Sequence, residues 1–73
     1  TIEERIRVAI NKLPKDEREI IENFFGFVEP PKRWLNKYGK VSTIAMAKDL
    51  GVHPETIRTK IKRALAKLSR YLR

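Results

Sequence analysis

The chain has 73 residues, no cysteine and six aromatic side chains, which is enough for one small domain held by packing alone and too little to line a substrate cavity as well as a core. Seventeen Lys and Arg against nine Asp and Glu leave a net charge of +8, a field that points to a polyanionic partner, nucleic acid first and an anionic membrane surface second. Size weighs against an enzyme, the absence of thiols suits a reducing, cytoplasmic setting, and apolar runs far short of the roughly 20 residues of a bilayer span argue against a membrane-crossing helix.

Taken in chain order, Thr1-Ile2-Glu3-Glu4 has the pattern of a capping box, in which a Thr hydroxyl takes the amide three residues on and a Glu reaches back. Behind it Ile2, Ile6, Ile10 and Leu13 recur at helical spacing, so a first helix is expected from Ile2 to Lys12, stopped by Pro14. A second is expected over Lys15 to Phe25. Asp16, Glu17 and Glu19 suit its positive N-terminal end, Ile20, Ile21, Phe24 and Phe25 form its apolar stripe, and Gly26 is a natural C-terminal glycine. Pro30-Pro31 then interrupts regular structure, and residues 30–40 read as a basic loop or short helix in which Lys32 to Tyr38 make one or two helical turns with Trp34, Leu35 and Tyr38 on one side. A further helix is expected at Thr43 to Leu50, capped by Ser42 and closed by Gly51. The last begins at Pro54, a proline preset for the first helical position, and runs to Tyr71 with Ile57, Ile61, Leu65 and Leu68 as its core stripe. The expected fold class is all-α, a small bundle of four to five helices forming a single domain over residues 1–73.

Charge divides this domain unequally. Residues 1–29 carry five basic and seven acidic side chains, whereas residues 30–73 carry twelve basic ones against only Asp49 and Glu55. The surface that faces a polyanion therefore belongs to the second part. There Met46 to Ile57 has the form of a helix-turn-helix: Ala47 is small enough for close helix crossing, Gly51 supplies positive φ, and Val52, Ile57 and Ile61 would lock the pair. An ordinary αα-hairpin would impose the same packing. With the core stripe inward, Glu55, Arg58, Thr59 and Lys62 share the opposite face at i, i+3, i+4 and i+7. These are the candidates for reading base edges, Arg58 at guanine, Glu55 at cytosine N4 and Thr59 at a thymine methyl. Lys40, Lys48, Lys60, Arg63, Lys67 and Arg70 are the candidates for phosphates, which position without reading sequence. His53 reads as a turn residue, since no second His and no Cys exists to complete a metal site; no metal, cofactor or catalytic residue is expected. Trp34, Leu35 and Tyr38 either cover the bundle or, as Trp34 with Phe24 and Phe25, meet a partner.

The stretch Leu13-Pro14-Lys15-Asp16-Glu17-Arg18-Glu19-Ile20-Ile21, then Phe25-Gly26-Phe27, then the helix-turn-helix and Lys62-Arg63-Ala64-Leu65-Ala66-Lys67-Leu68, resembles region 4 of bacterial sigma factors over nearly the whole chain. A LuxR-type regulator shares an opening of this kind and a helix-turn-helix, but the Phe25-Gly26 step and the Ala64 to Leu68 ending favour sigma. The resemblance implies a transcription module that binds the −35 promoter element through its last helix, with Glu55, Arg58, Thr59 and Lys62 on base-reading positions. It also implies that residues 1–29 dock on the flap of the RNA polymerase β subunit and that the protein works at the nucleoid. Pro54, Thr59 and His53 depart from the residues frequent in that family, and the connection over residues 30–40 is longer than usual. The alternative expectation is a sigma-like interaction module that binds polymerase or an anti-sigma regulator and touches DNA weakly.

Overall fold

The computed structural model describes every residue, Thr1–Arg73, and contains four α-helices and no strand: α1 (Ile2–Asn11), α2 (Lys15–Phe24), α3 (Thr43–Leu50) and α4 (Pro54–Tyr71), with one 3₁₀ turn at Lys32–Trp34. This is the expected all-α bundle. Each helix boundary has a local cause. The Thr1–Glu4 capping box forms at the start of α1, and α1 ends one residue before its expected limit, with Lys12 as its cap. At the end of α2, Phe25 is the cap, Gly26 takes φ 79°, and the Phe27 N–H returns to the Glu22 carbonyl at 2.8 Å. The Ser42 hydroxyl accepts from the Ala45 amide at 3.2 Å to open α3, and Gly51 at φ 70° closes it while the Val52 N–H bonds the Ala47 carbonyl at 2.9 Å. His53 caps α4, its Nδ1 accepting from the Glu55 amide at 3.1 Å ahead of Pro54.

Helix α4 is the spine. Over its length of about 27 Å it packs α1 and α2 toward its C-terminal half and α2 and α3 toward its start, with the 3₁₀ turn packed on α3. The first cluster holds Ala9, Ile10, Leu13, Ile21, Ala64 and Leu68; the second holds Ile20, Trp34, Met46, Ala47 and Ile57. Ile61 packs against both and joins them.

Three expected core positions move outward. Leu65 is 43% exposed and Ala64 is buried in its place, because i, i+4, i+8 spacing drifts about 40° per step around a 3.6-residue helix, whereas Ile57, Ala64 and Leu68 stay within one arc. Ile2 is 75% exposed because the first turn of α1 lies at the end of the bundle, in a shallow depression shared with Arg5, Ile6 and Leu72. Val52 is 38% exposed and outside the core, so Met46, Ala47 and Ile57, rather than Val52, join α3 to α4.

The segment after Pro31 makes a single 3₁₀ turn and then a tight reversal. Asn36 organises it: its Oδ1 accepts from the Tyr38 and Lys40 amides at 2.8 and 3.1 Å, and Leu35 faces Val41 in an isolated antiparallel bridge. Trp34 is 2% exposed and belongs to the core, while Tyr38, expected on the same side, stands 74% exposed at the tip of the reversal. The Trp34 indole N–H donates to Asp49 Oδ2 at 2.7 Å and Arg33 Nε donates to the same oxygen at 3.0 Å, which ties the segment to α3. These two bonds, the indole first, hold the Asp49 carboxyl below the ordinary carboxylate range. Trp34 is therefore covered, and its assignment as a partner contact is corrected.

Candidate nucleic-acid interface

With Ile57, Ala64 and Leu68 turned inward, the outer face of α4 carries Glu55, Arg58, Thr59, Lys62, Arg63, Ala66, Ser69 and Arg70, all exposed. The four base-reading candidates do share this face at the start of the helix. Arg58 Nη1 donates to Glu55 Oε1 at 2.6 Å, an i, i+3 pair open to water and so readily exchanged for another partner. Lys62, Arg63 and Arg70 make no ion pair with any acidic residue. Lys48 is exposed near the end of α3.

Two of the six phosphate candidates are otherwise engaged. Lys67 Nζ donates to both oxygens of Glu17, at 3.1 and 2.8 Å, and Glu17 is buried against α4. Lys60 Nζ donates to Asp16 Oδ2, a bond that, with the Glu17 backbone amide, lowers the Asp16 carboxyl below its ordinary range. Both bonds bridge α2 and α4, so Lys67 is a packing residue rather than a free cation, and Lys60 is neutralised in place. A third candidate, Lys40, lines a groove of about 490 Å³ with Phe24, Phe25, Gly26, Leu35 and Val41 at the C-terminal end of α2. Of the aromatic pair there, Phe24 is partly buried and Phe25 is 50% exposed, the rings meeting edge to face at 5.1 Å. Phe27 and Val28 are exposed just beyond.

One residue of this surface, Thr56, was overlooked in the sequence. Glu55, Thr56, Thr59, Lys60 and Arg63 line a depression of about 300 Å³ on the flank of α4, with no hydrophobic residue in its lining. Thr56, Thr59, Lys60 and Arg63 follow i, i+3, i+4, i+7 spacing, a signal that was available beside the base-reading set. Asp16 and Glu17, in contrast, lie 44 and 50 residues from their cations, and nothing local marks those pairs. The fold brings no three of His, Asp and Glu together in a metal-holding group, and no helix is long and apolar enough to cross a membrane.

The fold and surface thus define a class: a small all-helical bundle with one basic, solvent-facing helix and an apolar groove on another side. No protein-family model matches the chain, and comparison with curated proteins and with solved structures likewise gave no match.

Proposed function

We propose that the chain is a promoter-binding module similar to sigma factor region 4, acting by binding rather than catalysis and working at the nucleoid. Helix α3, the Gly51–His53 turn and α4 serve as a helix-turn-helix, with α4 in the major groove. Arg58, Glu55, Thr59 and Lys62 meet base edges there, while Arg63, Arg70 and Lys48 meet phosphates. One observation carries the reading: the chain's acidic side chains pair Lys60 and Lys67 internally, yet leave Lys62, Arg63 and Arg70 unpaired along one exposed helix face. These cations belong to residues 30–73, where twelve basic side chains stand against only Asp49 and Glu55, and it is that local excess which suits a polyanionic partner.

The test is paired substitution on duplex DNA. Arg58→Ala is expected to cost about 1–3 kcal/mol on a selected sequence and to relax preference at one position, whereas Arg63→Ala weakens all sequences alike and lowers the salt slope by about one. Equal losses on selected and random DNA for both variants would refute the residue roles.

A second reading has its own observation. Phe25 lines the groove at the end of α2 half exposed, and Phe27 and Val28 are exposed just after it in sequence, which suits docking on the polymerase β-subunit flap or on an anti-sigma regulator. Because Phe25 is half exposed, Phe25→Ser leaves the bundle folded. Loss of polymerase capture by this variant, with capture retained by Arg58→Ala, is the outcome that supports docking through this groove.

A further inference from the structure

The two ion pairs that bridge α2 and α4 differ in a way their similar chemistry hides. Glu17 is buried, so withdrawing Lys67 would leave an unpaired carboxylate out of water, and this pair is fixed by the fold. Asp16 is more than half exposed and Lys60 about one-third exposed, so their pair is open to water and either partner can be left solvated at little cost. Lys60, whose ammonium is carried on a flexible four-carbon stem, lines the depression with Thr56, Thr59, the unpaired Arg63 and Glu55, whose carboxylate is taken up by Arg58. That flank borders the outer face of α4. A helix lying in the major groove has a phosphate backbone running along each flank.

We infer that the part of this depression formed by Thr56, Lys60 and Arg63, away from the base-facing Glu55 and Thr59, is the seat of one backbone phosphodiester, and that Asp16 competes with the phosphate for Lys60. The inference rests on the DNA-binding reading above and adds to it a residue of α2 that tunes affinity without touching DNA. In the free protein Lys60 is neutralised, so engaging the seat means exchanging a carboxylate for a phosphate. The net counterion release at this position is small. Removing the Asp16 charge frees Lys60 to act as a full phosphate contact.

A double-mutant cycle on a short random-sequence duplex, read as affinity against salt, tests this. Asp16→Asn is expected to tighten binding about threefold or more at low salt and to steepen the log–log salt slope by about 0.9, the contribution of one phosphate. Lys60→Ala alone is expected to change the slope by less than half as much, and Lys60→Ala added to Asp16→Asn is expected to abolish the gain. Far-ultraviolet circular dichroism of each variant checks that the bundle is intact, which the exposure of Asp16 favours. A gain from Asp16→Asn that persists undiminished without Lys60 would be a general charge effect and would overturn the competition, as would no gain at all. If the wild type and all variants fail to bind duplex at low salt, the DNA reading itself falls and the phosphate seat with it. Binding by the wild type without the predicted cycle removes the seat alone.

Discussion

Trp34 and Tyr38 lie four residues apart in one irregular segment and have opposite fates, which makes them a sharp test of how the bundle is held. Trp34 is 2% exposed among Ile20, Met46, Ala47 and Ile57, with its indole N–H bonded to Asp49. Truncating a buried Trp to Ala loses its transfer free energy and leaves a cavity, together about 3–5 kcal/mol. A 73-residue domain has a total stability of roughly 4–11 kcal/mol at about 0.05–0.15 kcal/mol per residue. Trp34→Ala therefore removes about a quarter or more of what holds the fold, and at about 4–8 °C per kcal/mol its melting temperature falls by about 12 °C or more. Tyr38→Ala, at a position 74% exposed, should stay within about 0.5 kcal/mol of the wild type. Urea unfolding followed by circular dichroism measures both, since the wild-type chain has a single Trp and Trp34→Ala removes that fluorophore. Trp34→Ala matching Tyr38→Ala would mean that the indole lies on the surface, and the reasoning about the second core cluster would fail.

Other consequences follow from the same packing. Glu17→Ala strands Lys67 against α2 and should cost about 1–3 kcal/mol by urea unfolding, with most of the loss absent when Lys67→Met accompanies it. Leu65→Lys should be tolerated within about 0.5 kcal/mol, whereas Ala64→Leu, at a fully buried position, should overpack the core by about 1–3 kcal/mol; the reverse order of midpoints would put the register of α4 in error. Stability should also fall in acid. Asp16 and Asp49 have folded pKa values below the ordinary 3.8, so their contribution is complete above that value and is lost as pH falls through the depressed folded ones. Urea midpoints between neutral and acid pH should show a shallower acid decline in Asp49→Asn, and an unchanged decline would remove the Trp34–Arg33–Asp49 tie from the account. Ser42→Ala should cost about 1 kcal/mol through loss of the α3 cap.

The boundaries of the bundle were legible because they depend on neighbours in sequence. Thr1 with Glu4, Ser42, Gly51 and Pro54 each act within one turn of helix, and each appears where its local chemistry places it. What depends on the third dimension was less legible. The apolar series Ile57, Ile61, Leu65, Leu68 gave no way to choose between Leu65 and Ala64 until the arc covered by α1 and α2 was known. Trp34 and Tyr38 read alike by composition, and only the reversal organised by Asn36 separates them. On the candidate interface, the shared face of Glu55, Arg58, Thr59 and Lys62 follows from helical spacing alone. The removal of Lys60 and Lys67 from the pool of free cations does not, because acids in the first turn of α2 already had a local reason to be there at the helix N-terminus. Exposed charge is thus a poorer guide than charge left unpaired after folding, and of the candidate cations Lys40, Lys48, Lys62, Arg63 and Arg70 meet the stricter condition.

The central claim is that the outer face of α4 reads a DNA sequence. Selection of bound duplexes from a random library at near-physiological salt, with sequencing of what is retained, tests it most directly, because non-specific retention is expected of any chain this basic and only enrichment is informative. The account predicts one short enriched element for the wild type and relaxed preference at one position of that element for Arg58→Ala. A retained pool as random as the input would contradict it and leave the groove of Phe24 and Phe25 as the functional surface.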